Sequence, residues 1–196
     1  MGAGSIFEAR GDGWSTVPVQ VLRAGDPANG DAFGSSVALT ATAAVIGSPG
    51  DELPSGGSVR SAYVVERTGT TWLQTAKLSK PGIPDDASLE NVALADDTVV
   101  LSLNKPASGA AASIYRKASG TWLEETTLMP REGSQFDQFG AAVGLSGEVL
   151  AVGAPSDDAG RALGAGSTYI FTRTASGWAQ QRRLTLRRWV FAGTDG

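Results

Sequence analysis

The chain has no cysteine and no histidine. The first absence excludes disulfides and thiolate nucleophiles, the second a Ser-His-Asp triad, and together they remove the usual zinc sites. Lack of cysteine does not assign a compartment, because exported chains can lack it too. No apolar run approaches the ~20 residues that a membrane span needs. The opening MGAGSIFEARGDGW has neither a basic n-region nor an apolar h-region, so it does not read as a signal peptide. Met1-Gly2 would begin a myristoylation signal only with Ser or Thr at the sixth position, which is Ile6. An excess of one charge is missing as well: a net charge of −4 exerts no general pull on phosphate backbones or anionic lipid. With 41% apolar and 18% charged residues over 196 positions, the chain is a globular one with a real core.

Glycine is plentiful, at 26 residues without a Gly-x-y period, and the chain copies itself. Four tryptophans give the ruler: Trp14, Trp72, Trp122 and Trp178. They close the segments SIFEARGDGW, YVVERTGTTW, SIYRKASGTW and YIFTRTASGW. Ile6, Val64, Ile114 and Ile170 stand at one place in these segments, and Gly11, Gly69, Gly120 and Gly177 in the turn. β-Branched and aromatic residues, a Gly turn and a second apolar run predict a β-hairpin. Beyond Trp the second strand runs on to Leu78, Leu128 and Leu184. Before each of the last three hairpins lies another pair of strands: SSVAL with ATAAVIGSP, ENVAL with TVVLSL, and AAVGL with EVLAVGAP. Val37/Leu39, Val92/Leu94 and Val143/Leu145 alternate as in half-buried strands. TVVLSL and EVLAVGA are apolar almost throughout, as in strands covered on both faces. The unit is four strands long, the content of one propeller blade.

Two copies share a finer frame. DAFGSSVALTATAAVIGSP carries Phe33-Gly34 and Gly47-Ser48-Pro49; DQFGAAVGLSGEVLAVGAP carries Phe139-Gly140 and Gly153-Ala154-Pro155. A Phe at the unit's start suits a contact between blades, and the Gly after it allows close approach or positive φ. Pro49 and Pro155 lack the N–H needed to continue a ladder. Each of these residues has a sufficient structural role. The middle copy has decayed: Ser88-Leu89 stand where Phe-Gly is expected, and SLNKP replaces Gly-x-Pro, while Trp122 survives.

Phe-Gly followed by Gly-Ala-Pro, recurring with hairpin and Trp, resembles bacterial FG-GAP repeat proteins and, more remotely, the N-terminal β-propeller of integrin α chains. The resemblance covers nearly all of residues 2–184. It implies a single all-β domain over 1–196 built of four-stranded antiparallel β-propeller blades. Residues 2–22 are a partial repeat, 31–78 a repeat, 86–128 a degenerate repeat, 137–184 a repeat and 185–196 a divergent tail. Three full blades and a terminal hairpin are about half of the family's usual seven-bladed ring. An open stack is preferred over a small ring closed by both termini, and exposed blade faces would favour self-association. The resemblance further implies an extracellular or cell-envelope location and a role in adhesion or recognition of a protein or glycan.

No cofactor is expected. Several integrin repeats carry a calcium loop of the D-x-D-x-D-G type between their first two strands; here that place holds TAT, ADD and SGE, short of the alternating oxygen donors a cation needs. Glu8, Arg10, Asp12 and Gly13 have the spacing, but Arg10 puts a cation among the donors. Asp51-Glu52 and Asp157-Asp158, just after the Gly-x-Pro triplets, are the candidate ligand-binding residues. They leave calcium open as a loosely held ion, although a solvated Asx turn accounts for them more simply. Asp85-Asp86, Asp96-Asp97 and Asp157-Asp158 are poor acid/base pairs, since adjacent strand residues face opposite ways. The expected function is therefore non-enzymatic recognition, with the scaffold part of a larger exported enzyme as the alternative. Arg182, Arg183, Arg187 and Arg188 beside Trp189 have the chemistry to hold a single nucleic-acid strand, but arginines also guard an edge strand, which is the preferred reading. Only Phe136 and Trp189 among the aromatics lack an assigned core role.

Overall fold

The computed structural model of the chain describes residues 2–11, 13–51, 59–79, 88–104, 111–134, 136–158 and 163–185. All regular structure among them is β. An N-terminal ribbon consists of β1 (Gly4–Ile6), β2 (Ala9–Arg10), β3 (Gly13–Trp14) and β4 (Gln20–Leu22). In it β1 pairs with β4 and β2 with β3, so it is one interrupted hairpin. Three four-stranded antiparallel meanders follow. The first blade is β5 (Val37–Leu39), β6 (Ala43–Ser48), β7 (Ser61–Thr68) and β8 (Thr71–Ser79). The second is β9 (Ser88–Ala95), β10 (Thr98–Asn104), β11 (Ala111–Ala118) and β12 (Thr121–Leu128). The third is β13 (Ala142–Ser146), β14 (Val149–Ala154), β15 (Ser167–Thr174) and β16 (Gly177–Thr185). These are blades of the β-propeller type, and the Gly turns predicted before each Trp are present, with Gly69 at φ 62° and Gly120 at φ 83°.

The blades pack face to face. One apolar cluster joins Leu22 and Phe33 to Ile46, Tyr63 and Trp72, between ribbon and first blade. A second joins Val45, Val64 and Leu78 to Leu89, Leu101 and Tyr115, between first and second blades. A third joins Ile114 and Leu128 to Phe139, Val152 and Phe171, between second and third. Fully burying each such side chain contributes roughly 1.5–3 kcal/mol. One charged pair crosses each seam: Glu8 with Arg67 at 3.0 Å, Glu66 with Lys117 at 2.5 Å, and Glu125 with Arg173 at 2.9 Å. The outer hairpin of every blade also bulges at one place, after Val64, Ile114 and Ile170. The bulge adds a residue to the outermost strand and bends it; in the second blade that residue is Glu125, which reaches the next blade.

The burial corrects three expectations. Trp72 is buried, and Trp122 and Trp178 pack against the clusters, but Trp14 is 72% exposed. The ribbon has no preceding unit among the described residues to receive its indole. For the same reason Val37 and Leu39, expected to be half-buried, are 65% and 66% exposed. Their counterparts Val92 and Leu94 are covered by the first blade, whereas the ribbon supplies only two outer strands. Lastly, β6 is buried throughout and β10 from Thr98 to Leu103, but β14 alternates, because one face of the third blade has no cover among the described residues.

The middle copy differs from expectation by one residue. Leu89, rather than Ser88, takes the position of Phe33 and Phe139: it is 4% exposed and packs with Ala62 and Leu78 across the seam. Trp72→Ala should lower the unfolding free energy by about 3–5 kcal/mol, and Trp14→Ala by less than about 0.5 kcal/mol, in urea titrations followed by circular dichroism. Equal losses at the two positions would show that the ruler does not distinguish core from surface.

Candidate functional site

The two sequence signatures meet at one point in space. The N–H of Gly34 donates to the carbonyl of Gly47 at 2.9 Å, and the N–H of Gly140 to that of Gly153 at 2.8 Å. The Phe-Gly turn is thus pinned to the end of the second strand of its own blade. The turn needs positive φ at two residues: 52° and 98° at Ala32 and Gly34, 56° and 93° at Gln138 and Gly140. At Gly140 a Cβ would also come within 2.5 Å of Ser102 Oγ on the preceding blade, so no side chain fits. The Phe rings turn inward, edge-on to Tyr63 and Tyr169 with centroids 5.4 and 5.3 Å apart. Asp31 and Asp137, both buried, brace the turn by accepting the N–H of Ala28 and of Ser134, each at 2.5 Å.

Those tyrosines lead into a cluster that the sequence reading missed. Asp51 and Asp157 are not solvated loop residues: their side chains are 3% and 1% exposed. Lys77 Nζ lies 2.6 Å from Asp51 Oδ2 and 2.7 Å from Asp26 Oδ2. In the third blade Arg183 grips Asp157 with two donors, Nε at 2.9 Å and Nη2 at 2.5 Å. The Tyr169 hydroxyl donates to Asp157 at 2.7 Å, and the Tyr63 hydroxyl to Asp26 at 2.8 Å. Lys77 and Arg183 also lie over the Tyr63 and Tyr169 rings. Glu132 Oε2 lies 3.6 Å from Arg183 Nη1, and the Glu132 carbonyl accepts a second bond from the Tyr169 hydroxyl, so a set of two acids, a tyrosine and a cation is built twice. In the second blade the tyrosine and cation positions hold Ser113 and Thr127, whose hydroxyls are 3.3 Å apart.

The electrostatics follow from this packing. Burial alone would raise the Asp157 carboxyl, but hydrogen bonds from Ser167, Tyr169 and Arg183 outweigh it and hold the group below the usual carboxylate range. The Lys77 hydrogen bond holds Asp26 low against a smaller burial effect. Lys77 is raised, its bonds to Asp26 and Asp51 overcoming burial. Both tyrosines are pushed up, chiefly by burial and then by the neighbouring acids. The cluster is a closed latch in which both acids lie on one shared cation.

The other candidates are dispersed. Asp158 is exposed, and its Oδ1 accepts the Gly164 N–H at 2.8 Å. Glu52, Asp85, Asp86, Arg187, Arg188 and Trp189 lie outside the described residues, as does Asp12. Asp96-Asp97 form an exposed two-residue turn, with Asp96 at φ 47°. The corresponding turn of the third blade is Gly147-Glu148. Both are too short to wrap an ion, and among the described residues no three His, Cys, Asp or Glu side chains converge as a metal site. Arg183, counted among the arginines for a nucleic-acid strand, is committed to Asp157. No helix is long and apolar enough to cross a membrane, among the described residues.

The FG-GAP repeat family model matches residues 16–65 and 122–171, together just over half of the chain. The chain belongs to the FG-GAP repeat family. Both matches begin at corresponding places, seventeen residues before the Phe of a Phe-Gly turn, and each takes in that turn, its Gly-x-Pro partner and the latch tyrosine. The second blade of this FG-GAP chain lies mostly outside them, in keeping with its altered turn. No curated protein matches the chain.

Two measurements test the latch. Asp157 is depressed in the folded chain, so its stabilisation is present above the unfolded carboxylate pKa of about 4 and lost as pH falls through the lower folded value. Asp157→Asn should therefore be less stable than the native chain at pH 7, and the two should converge towards pH 2; parallel curves would mean that the ion pair adds no pH-dependent stability. EDTA should leave the melting temperature unchanged, and a drop of more than about 5 °C, which corresponds to about 1 kcal/mol or more, would place a structural cation in the fold.

Proposed function

We propose that this FG-GAP chain is a non-enzymatic recognition module of the extracellular space or cell envelope, adhering to a protein or glycan through the loops that follow Gly-x-Pro. One observation carries the reading. The segments 52–58 and 159–162 follow Asp51 and Asp158 in sequence, and the backbone before each is held by a latch acid, Asp51 or Asp157. A rigid stem under a polar, variable loop suits binding, because the stem's ordering is complete before a ligand arrives. Asp51 and Asp157 stand at corresponding positions, three residues beyond the ends of β6 and β14. The chemistry in the latch favours no reaction: its acids are paired with cations and its tyrosines are held neutral, which leaves no poised base.

Replacing 52–58 and 159–162 with Gly-Ser segments of equal length keeps both stems. On glycan arrays and immobilised matrix proteins, the native chain should bind at least one surface, and the grafted chain should bind it at least tenfold more weakly at an unchanged melting temperature. Full binding by the grafted chain, or no binding by the native chain to any surface, would sink the proposal.

A further inference from the structure

One cross-strand pair recurs at every seam. Gly4 faces Leu22 in the ribbon, Ala62 faces Leu78 in the first blade, and Ala112 faces Leu128 in the second. Each pair sets a small residue beside a leucine and makes a socket. A large apolar residue from the next unit fills it: Phe33, Leu89 and Phe139 respectively. The spacing is constant, eleven residues from the socket leucine to the plug, in all three cases. The filled leucines are 6%, 3% and 8% exposed.

The third blade builds a fourth socket. Thr168 faces Leu184 in the same register. Leu184 is 53% exposed and borders an open cleft of about 590 Å³ together with Gly153, Pro155, Gly166 and Thr168. Gly153 corresponds to Gly47, over which Leu89 packs at the first seam. Val149 on the same face is 47% exposed, against 7% for its counterpart Ala43. Eleven residues beyond Leu184 the sequence has Asp195 followed by Gly196, so the spacing that plugs the other sockets puts no apolar side chain here.

We infer that the Thr168–Leu184 face is a docking site for another polypeptide, and that its occupant is the leading hairpin of an FG-GAP-type repeat, delivering a Phe into the cleft with a Gly behind it. The occupant is not a second copy of the folded chain, because Phe33 and Phe139 are already spent in their own sockets, at 5% and 3% exposure. Its Gly allows the backbone approach seen at Gly140, whose carbonyl accepts a hydrogen bond from Ser102 Oγ of the preceding blade. Specificity would come from the size of the plug and from the charge pattern of the receiving face, where Thr172 and Gln181 stand in place of the acids Glu66 and Glu125 that pair with cations at the earlier seams, and the exposed Arg182 stands where the first blade has Ala76, so a plug hairpin with an acid rather than a cation at its rim is favoured. This surface is separate from the loop ends and does not depend on what they bind.

The test is a titration of the full, isotope-labelled chain with a peptide of residues 134–156, closed into a hairpin by a disulfide between added terminal cysteines. The chain has no cysteine to exchange with it. Amide shifts should move at Gly153, Thr168 and Leu184. A peptide carrying Phe139→Ala should bind at least tenfold more weakly, and the chain variant Leu184→Glu, changed at an exposed position, should show no shift while keeping the native spectrum elsewhere. Three results would each overturn the inference: no shift at millimolar peptide, equal binding by the alanine peptide, or a chain that sediments as a dimer with its Leu184 amide protected.

Discussion

Each blade is apolar on both faces, and neither face is stable in water. That constraint generates the rest of the structure. The second strand of a blade carries Val and Ile or Leu without alternation, as in Ala43–Ser48 and Thr98–Leu103, so it must be covered twice. A sheet covered twice needs neighbours of its own kind, and a repeated sequence supplies them. The Phe-Gly turn is the device that aligns one copy with the next. Its Gly is hydrogen-bonded to the Gly-x-Pro strand of its own blade, while its Phe reaches the leucine socket of the preceding one. A single turn therefore fixes both the end of a strand and the offset between two sheets. Where no neighbour is present among the described residues, at Val37 and Leu39 on one side and Val149 and Leu184 on the other, apolar surface lies open.

What the sequence made legible was whatever repeats as residue type at fixed spacing. The Trp ruler, the hairpin glycines and the Phe-Gly with Gly-x-Pro frame predicted a terminal hairpin and three four-stranded units in the right order; the structure breaks that hairpin into four short strands. Burial at the ends was not legible, since Trp14 has the same hairpin pattern before it as Trp72 and differs in what lies beside it. Nor was the latch. Asp26, Asp51, Tyr63 and Lys77 are separated by irregular intervals, and the third blade substitutes Glu132 and Arg183 for Asp26 and Lys77, so a search for identical residues passes over them. The signal was nevertheless there: Tyr63 and Tyr169 share a distance to their Trp, and Lys77 and Arg183 each precede the socket leucine. Both features vanish together from the middle copy.

That joint disappearance is what the energetics require. Removing one partner from a buried ion pair leaves the other charge desolvated and unpaired, which costs about 3–5 kcal/mol, whereas replacing the whole set by small neutral groups can be nearly free. The second blade holds Ser113 and Thr127 at the tyrosine and cation positions. By count from its preceding leucine, Gly82 stands where Asp26 and Glu132 stand, and Ala87 where Asp31 and Asp137 stand. The set has gone as a set. With it went the Phe-Gly turn and the Gly-x-Pro strand end, because the buried Asp31 and Asp137 brace that turn and Asp51 and Asp157 anchor the loop behind it. The socket outlasted them, since Leu89 still plugs Ala62 and Leu78. Packing between blades and locking of the loop stem are thus separable layers of the same repeat. The first is kept in every copy because a blade's apolar face needs cover; the second is kept only in the first and third blades, where Asp51 and Asp157 are fixed by Lys77 and Arg183 just beyond the Gly-x-Pro triplet.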